Sequence, residues 1–198
     1  MTKRRWIGLL VICIGIGLVA YPFVMEWQQG KEVRAMEEAL ELIMSADPDE
    51  EVDLSTIENL PLSQEELKNV MELEIPYLDL KQKVLNQTTE HNLNLALTQI
   101  KEGQEPGKGN FTIAGHRGYR DGRHFSNLAE VPVGEQVILH VGPTSYIYQI
   151  KSSEVIEATD VHVLDDQEGI DELTMITCTI TGKQRVAVKA DLIDTIQQ

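Results

Sequence analysis

The chain is poor in cysteine, with two in 198 residues, and it contains no Cys-x-x-Cys pair. Cys13 lies inside a long apolar run near the N-terminus, which leaves Cys178 without an intramolecular partner. A disulfide framework and a dithiol redox centre are both excluded. Basic residues are also scarce, with 17 Lys and Arg against 32 Asp and Glu and a net charge of −15. Beyond Met25 the imbalance is 14 basic against 32 acidic residues, a net −18, which argues against binding a nucleic-acid backbone and suits solubility and repulsion from an anionic surface. No internal repeat or low-complexity tract is present, and no second apolar run near the C-terminus offers another anchor.

What is present begins with Met1-Thr2-Lys3-Arg4-Arg5, followed by an uncharged stretch from Trp6 to Met25. About 20 apolar residues span a bilayer as a helix. The run ends in Leu18-Val19-Ala20-Tyr21-Pro22-Phe23, without the small-residue cleavage site of a secretory signal, so the expectation is an uncleaved anchor over residues 1–25 with Cys13 facing lipid. Basic residues ahead of the span place the N-terminus in the cytoplasm and everything after Met25 outside the cell membrane.

Residues 26–70 read as an acidic stalk. Val33, Met36, Leu40, Ile43 and Met44 recur at helical spacing, and the pattern stops at the turn signal Ser45-Ala46-Asp47-Pro48-Asp49 and the acidic Glu50-Glu51. A second short helix follows Ser63, with Gln64-Glu65-Glu66 in its first turn. Residues 71–198 form the expected main domain, of a size for one core. Its pattern turns to short period-two runs, predicting strands at 73–75, 77–80, 83–85, 111–114, 136–140, 146–151, 154–157, 173–177 and 185–190. One helix, capped by Thr88 or Thr89 and running from Glu90 to Leu97, interrupts them, and a turn is expected over Phe125–Ala129. Many short strands with few helices predict a mainly β domain, a closed or nearly closed barrel.

Cys178 ends the run Leu173-Thr174-Met175-Ile176-Thr177-Cys178. A thiol attacks as thiolate, and with an ordinary pKa of about 8.5 it needs a cation or proton acceptor nearby. Of the five histidines, His116 follows an apolar strand in Ile113-Ala114-Gly115-His116-Arg117-Gly118, with glycines that let the backbone approach a ligand. Arg185 lies past the turn Thr181-Gly182-Lys183-Gln184, so a hairpin brings its strand beside that of Cys178, and its guanidinium suits an oxyanion. Each signal alone fits a structural residue. Their combination points to nucleophilic catalysis.

Taken together these residues resemble the sortase family, the membrane-anchored cysteine transpeptidases of Gram-positive bacteria. The resemblance runs from Ile75 to Ile193. It is carried by Ile75-Pro76-Tyr77-Leu78-Asp79-Leu80, Thr88-Thr89-Glu90-His91-Asn92-Leu93, Gly109-Asn110-Phe111-Thr112-Ile113-Ala114-Gly115-His116, Phe125-Ser126-Asn127-Leu128, Thr159-Asp160-Val161-His162-Val163-Leu164, Leu173-Thr174-Met175-Ile176-Thr177-Cys178 and Arg185. The order His, Cys, Arg differs from that of papain-like peptidases.

That resemblance implies an eight-stranded sortase barrel. In it Cys178 attacks the Thr-Gly amide of an LPXTG-type sorting signal to form a thioester, His116 is the general acid and base, and Arg185 orients substrate and stabilises the oxyanion. The acceptor is an amine of peptidoglycan or its precursor, and Ala114, Val163, Thr174 and Ile176 match the groove that holds the signal. No metal is expected, although some members are calcium-activated. Asp166 matches one ligand position, but the loop Lys101–Gly109 lacks a matching set. A single N-terminal span resembles the class A type, whereas His116-Arg117-Gly118 resembles pilin-polymerising members, so the subclass stays open. The alternatives are a pilin polymerase and a catalytically silent anchored module that binds peptide or cell wall.

Overall fold

The computed structural model describes residues 3–46, 52–118 and 124–197, and the chain divides into two units, Met1–Gln64 and Glu65–Gln198. Met1 and Thr2, ahead of the three basic residues, lie outside the described residues, as do 47–51, which hold the rest of the turn expected from Ser45 to Asp49 and the acidic pair after it. In the first unit, α1 (Lys3–Ser45) is one continuous helix that passes through Pro22. Its apolar stretch has a mean hydropathy of 2.5 with none of it buried, so the helix is long and apolar enough to cross a membrane. Further along, Ala35, Met36, Ala39 and Leu40 are buried at helical spacing, as the amphipathic pattern anticipates for Met36 and Leu40. Met44, expected on the same face, is instead exposed.

After the short helix α2 (Gln64–Lys68), the second unit closes eight strands into a barrel. These are β1 (Met71–Ile75), β2 (Leu80–Leu85), β3 (Leu97–Gln99), β4 (Asn110–Ala114), β5 (Gln136–Val141), β6 (Thr144–Glu157), β7 (Glu172–Cys178) and β8 (Gln184–Gln197). Their order around the barrel is β1-β2-β3-β4-β7-β8-β6-β5. The pairs β2–β3 and β4–β7 are parallel, the others antiparallel. Alternate residues fill the interior: Leu73 and Ile75, Phe111 and Ile113, Val137 and Leu139, Tyr148 and Ile150, Leu173 and Met175, Val186 and Val188. Tyr148 is fully buried, and its oxygen accepts the Gly107 N–H at 3.0 Å. Burial pushes its phenol well above the ordinary range, so it stays neutral.

Several boundaries differ from the sequence pattern. Residues 77–80, expected as a strand, begin in a 3₁₀ turn over Pro76–Leu78, because the proline supplies the turn's φ and Asp79 then adopts φ 49° to close the β1–β2 hairpin. The helix capped by Thr89, whose oxygen accepts the Asn92 N–H at 3.0 Å, is α3 (Glu90–Leu95) and stops short of Leu97. Leu97 pairs with Val84 in a strand too short for periodicity to show. The two strands expected at 146–151 and 154–157 are one, bent by register shifts at Ile147/Tyr148 and Ile150/Ser152. Strand β8 runs past Ala190 to Gln197 because it follows β6 beyond the end of β7.

An ion cluster ties three of these strands together. The Glu172 side chain is fully enclosed and meets Lys189 through Oε1 and Lys151 through Oε2, both at 2.7 Å, while Lys151 also reaches Asp191 at 2.6 Å. Burial alone lowers the Lys151 pKa, but its bonds to Asp191 and Glu172 outweigh that and raise it. Its contribution to stability is therefore lost only as pH climbs through the raised value. Glu172→Gln leaves two ammonium groups short of their counter-charge. Because both lysines keep some contact with water, the expected loss is about 2 kcal/mol rather than the full cost of a sealed broken pair. Urea denaturation of the barrel unit checks it.

Candidate active site

The parallel pair β4–β7 sets the site. Ala114 lies across from Ile176, the Gly115 N–H donates to Ile176 O at 3.1 Å, and Thr177 Oγ1 donates to Gly115 O at 2.9 Å. The two segments therefore stay bonded one residue past the end of β4, as far as Gly115, and His116 and Cys178 are the next residues along each. On the other side of β7, Cys178 pairs directly with Arg185 of β8. In β7, Leu173, Met175 and Thr177 face inward, so Ile176 and Cys178 face outward, and Arg185 shares the face of its cross-strand partner. The three residues singled out in the sequence thus come to one edge of three adjacent strands. His116 is exposed, while Cys178 and Arg185 are half-buried.

Local packing explains why these strands end where they do. An added Cβ at Gly115 would lie 2.4 Å from Leu97 Cδ2 and 2.7 Å from Phe125 Cδ2. The glycine therefore serves close packing under the site, rather than the ligand approach its place before His116 suggests. The Arg185 guanidinium rests on the hairpin turn, with Nη1 donating to Gly182 O and Gln184 O at 3.1 Å each. A guanidinium has five N–H donors, so the rest of the fork stays available among the described residues.

The four groove positions are not equivalent. Ala114 and Ile176 are half-buried neighbours on the outer face of the sheet, and Val163 lies half-buried in the 3₁₀ turn Val161–Leu164. Thr174 has no accessible surface, and its hydroxyl donates to Asn110 Oδ1 at 2.6 Å. Asn110 Nδ2 in turn donates to Val163 O at 3.0 Å and Asp165 O at 3.2 Å, which holds that turn against β4. In the sequence Asn110 stands only as one residue of the run from Gly109 to His116, and nothing local reveals this clamp.

Nor does the sequence reveal how Lys101 and Asp166 are used. Asp166 Oδ1 accepts the Asn110 N–H at 2.9 Å, and the Lys101 ammonium donates to Leu164 O at 2.6 Å and lies 3.5 Å from Asp165 Oδ1. Among the described residues, no group of three or more His, Cys, Asp and Glu side chains is placed to hold a metal. Beyond the strand ends, a cavity of ≈ 410 Å³ opens against Cys178, with Arg117, Ser126, Glu130 and Ile180 in its lining.

Residues 73–193 match the family model described as a sortase domain. A sortase A of Bacillus anthracis is 27% identical over 98% of this chain and 98% of its own length. Among solved structures, sortase A of Listeria monocytogenes superposes with a TM-score of 0.62 at 27% identity, covering 66% of this chain and 91% of that one. A Clostridium perfringens sortase D5 transpeptidase gives a TM-score of 0.64 at 24% identity over 83% and 99% of the two chains, a likeness of fold.

Proposed function

The chain belongs to the sortase family, and from that premise we propose a class A-like transpeptidase that cleaves an LPXTG-type sorting signal between Thr and Gly and joins the freed acyl group to an amine of peptidoglycan or its precursor. The observation that supports the reading is the strand register, which pairs Cys178 with Arg185 and bonds Gly115, the residue before His116, to the neighbouring strand β7. In the first half-reaction the Cys178 thiolate adds to the threonine carbonyl, the oxyanion is met by Arg185 donors left free by the turn, and the His116 imidazolium protonates the departing glycine nitrogen. In the second, a neutral amine attacks the thioester, its proton passes to His116, and the thiolate leaves. Ala114 and Ile176 form the floor of the signal groove, Val163 its wall, and Thr174 supports the wall from beneath through Asn110.

The helix α1 anchors the enzyme with Lys3, Arg4 and Arg5 on the cytoplasmic side and the barrel outside. Trp6 and Trp27 lie 21 residues apart, about 31 Å along a helix, close to the roughly 30 Å hydrocarbon thickness, and the Lys31 ammonium sits 3.7 Å over the Trp27 ring. Protease protection of either end in inverted and right-side-out vesicles tests that orientation.

The enzyme works without calcium, because the Lys101 ammonium already bridges the loop before β4 to the segment after Val163. Lys101→Ala is expected to raise KM for the sorting peptide by about fivefold, the equivalent of roughly 1 kcal/mol, with kcat little changed and no response to added calcium. A strong stimulation of the unaltered enzyme by calcium contradicts this. The function itself is tested by incubating the barrel unit in its full chain with a fluorogenic LPXTG-type peptide and an amine. Absence of cleavage, with and without calcium, overturns it.

A further inference from the structure

The cavity beside Cys178 is distinct from the groove assigned to the sorting signal. Ala114, Thr174 and Ile176 lie along β4 and β7, whereas the cavity, ≈ 410 Å³, lies past the ends of those strands, among Arg117, Ser126, Asn127, Glu130 and the hairpin from Cys178 to Gly182. A thioacyl group on this sulfur therefore has the groove on one side and the cavity on the other. Two lining side chains bear full and opposite charge. Glu130 is exposed and Arg117 half-buried, and neither the carboxylate nor the guanidinium has a hydrogen-bond or ion-pair partner among the described residues. Ile180, 77% exposed, adds an apolar wall.

An unpaired carboxylate and an unpaired guanidinium around one cavity fit a dipolar ligand. A plain alkylammonium is attracted by Glu130 but repelled by Arg117, whereas a molecule carrying both an ammonium and a carboxylate satisfies both. We infer that this cavity receives the acceptor, and that it selects an amine whose skeleton also bears a carboxylate, with Glu130 facing the ammonium and Arg117 the carboxylate. The inference deepens the transpeptidation reading above and rests on it. The acceptor arrives as ammonium and loses one proton to water. The neutral nitrogen then forms the C–N bond as the C–S bond breaks, and its second proton goes to His116, which restores the thiolate and imidazolium.

Lysine and 1,5-diaminopentane test this directly, since they share one skeleton and differ by a single carboxylate. With a sorting peptide in excess, the ratio of aminolysis to hydrolysis product is read by mass in the same tube, so a partly folded variant still reports it. The wild-type chain is expected to favour lysine by about fivefold. Arg117→Glu is expected to reverse that preference, and Glu130→Gln to lower the aminolysis ratio for both amines by a similar factor. Hydrolysis and aminolysis with no preference between the amines, unchanged in both variants, overturns the acceptor site alone. No product of either kind in the wild-type chain overturns the transpeptidase reading and this inference with it.

Discussion

Cys178→Ala is expected to lower both hydrolysis and transfer of a sorting peptide by at least ~10³-fold while leaving the melting temperature nearly unchanged. The sulfur sits on the outward, half-buried face at the end of β7, outside the barrel's apolar interior, so its removal opens no internal cavity. His116→Ala should cost activity on a similar scale, because the leaving amine then lacks its proton donor. The double variant should be no slower than the slower single one, since groups that act as a unit are not additive. Product formation measured by chromatography decides the matter. Activity retained by Cys178→Ala places the nucleophile elsewhere.

Gly115→Ala combines a stability effect with a catalytic one. The new Cβ meets Leu97 and Phe125 at 2.4 and 2.7 Å, and both side chains are buried, so neither can swing into solvent. Overpacking of this kind costs about 3 kcal/mol, or roughly 10 °C in melting temperature for a domain of this size. The same residue joins β4 to β7 through its N–H and carbonyl, so relief of the clash shifts His116, the next residue along the chain. The expected result is a fall in kcat of about 10²-fold at a temperature where the variant remains folded. A calorimetric scan beside a kinetic assay tests both halves, and a variant with wild-type melting temperature and activity refutes this account of the glycine.

Legibility followed the range of the interactions involved. Strands whose apolar residues alternate, such as β5 and β7, show in the sequence because each strand carries its own pattern. The hairpin joining Cys178 to Arg185 shows for a like reason, its turn residues being contiguous. Leu97 was assigned to a helix because three residues are too few for a period, and only the pairing with Val84 makes a strand of them. Glu172 reads as one acid among many, and its burial between Lys151 and Lys189 arises from three strands distant in sequence. Glu130 and Arg117 likewise look like solvated charges until the turns after β4 and β7 enclose a cavity between them. The family motifs led to Cys178, His116 and Arg185, but the clamp of Asn110 and the tie of Lys101 exist only in three dimensions.

The most direct measurement is the intact mass of the enzyme mixed briefly with an LPXTG-type peptide, followed by fragmentation to locate the added group. The account predicts a gain equal to the peptide segment ending in threonine, attached at Cys178, discharged by an amine, and missing from Cys178→Ala. A cleaved peptide with no such adduct, or an adduct on any other residue, contradicts it.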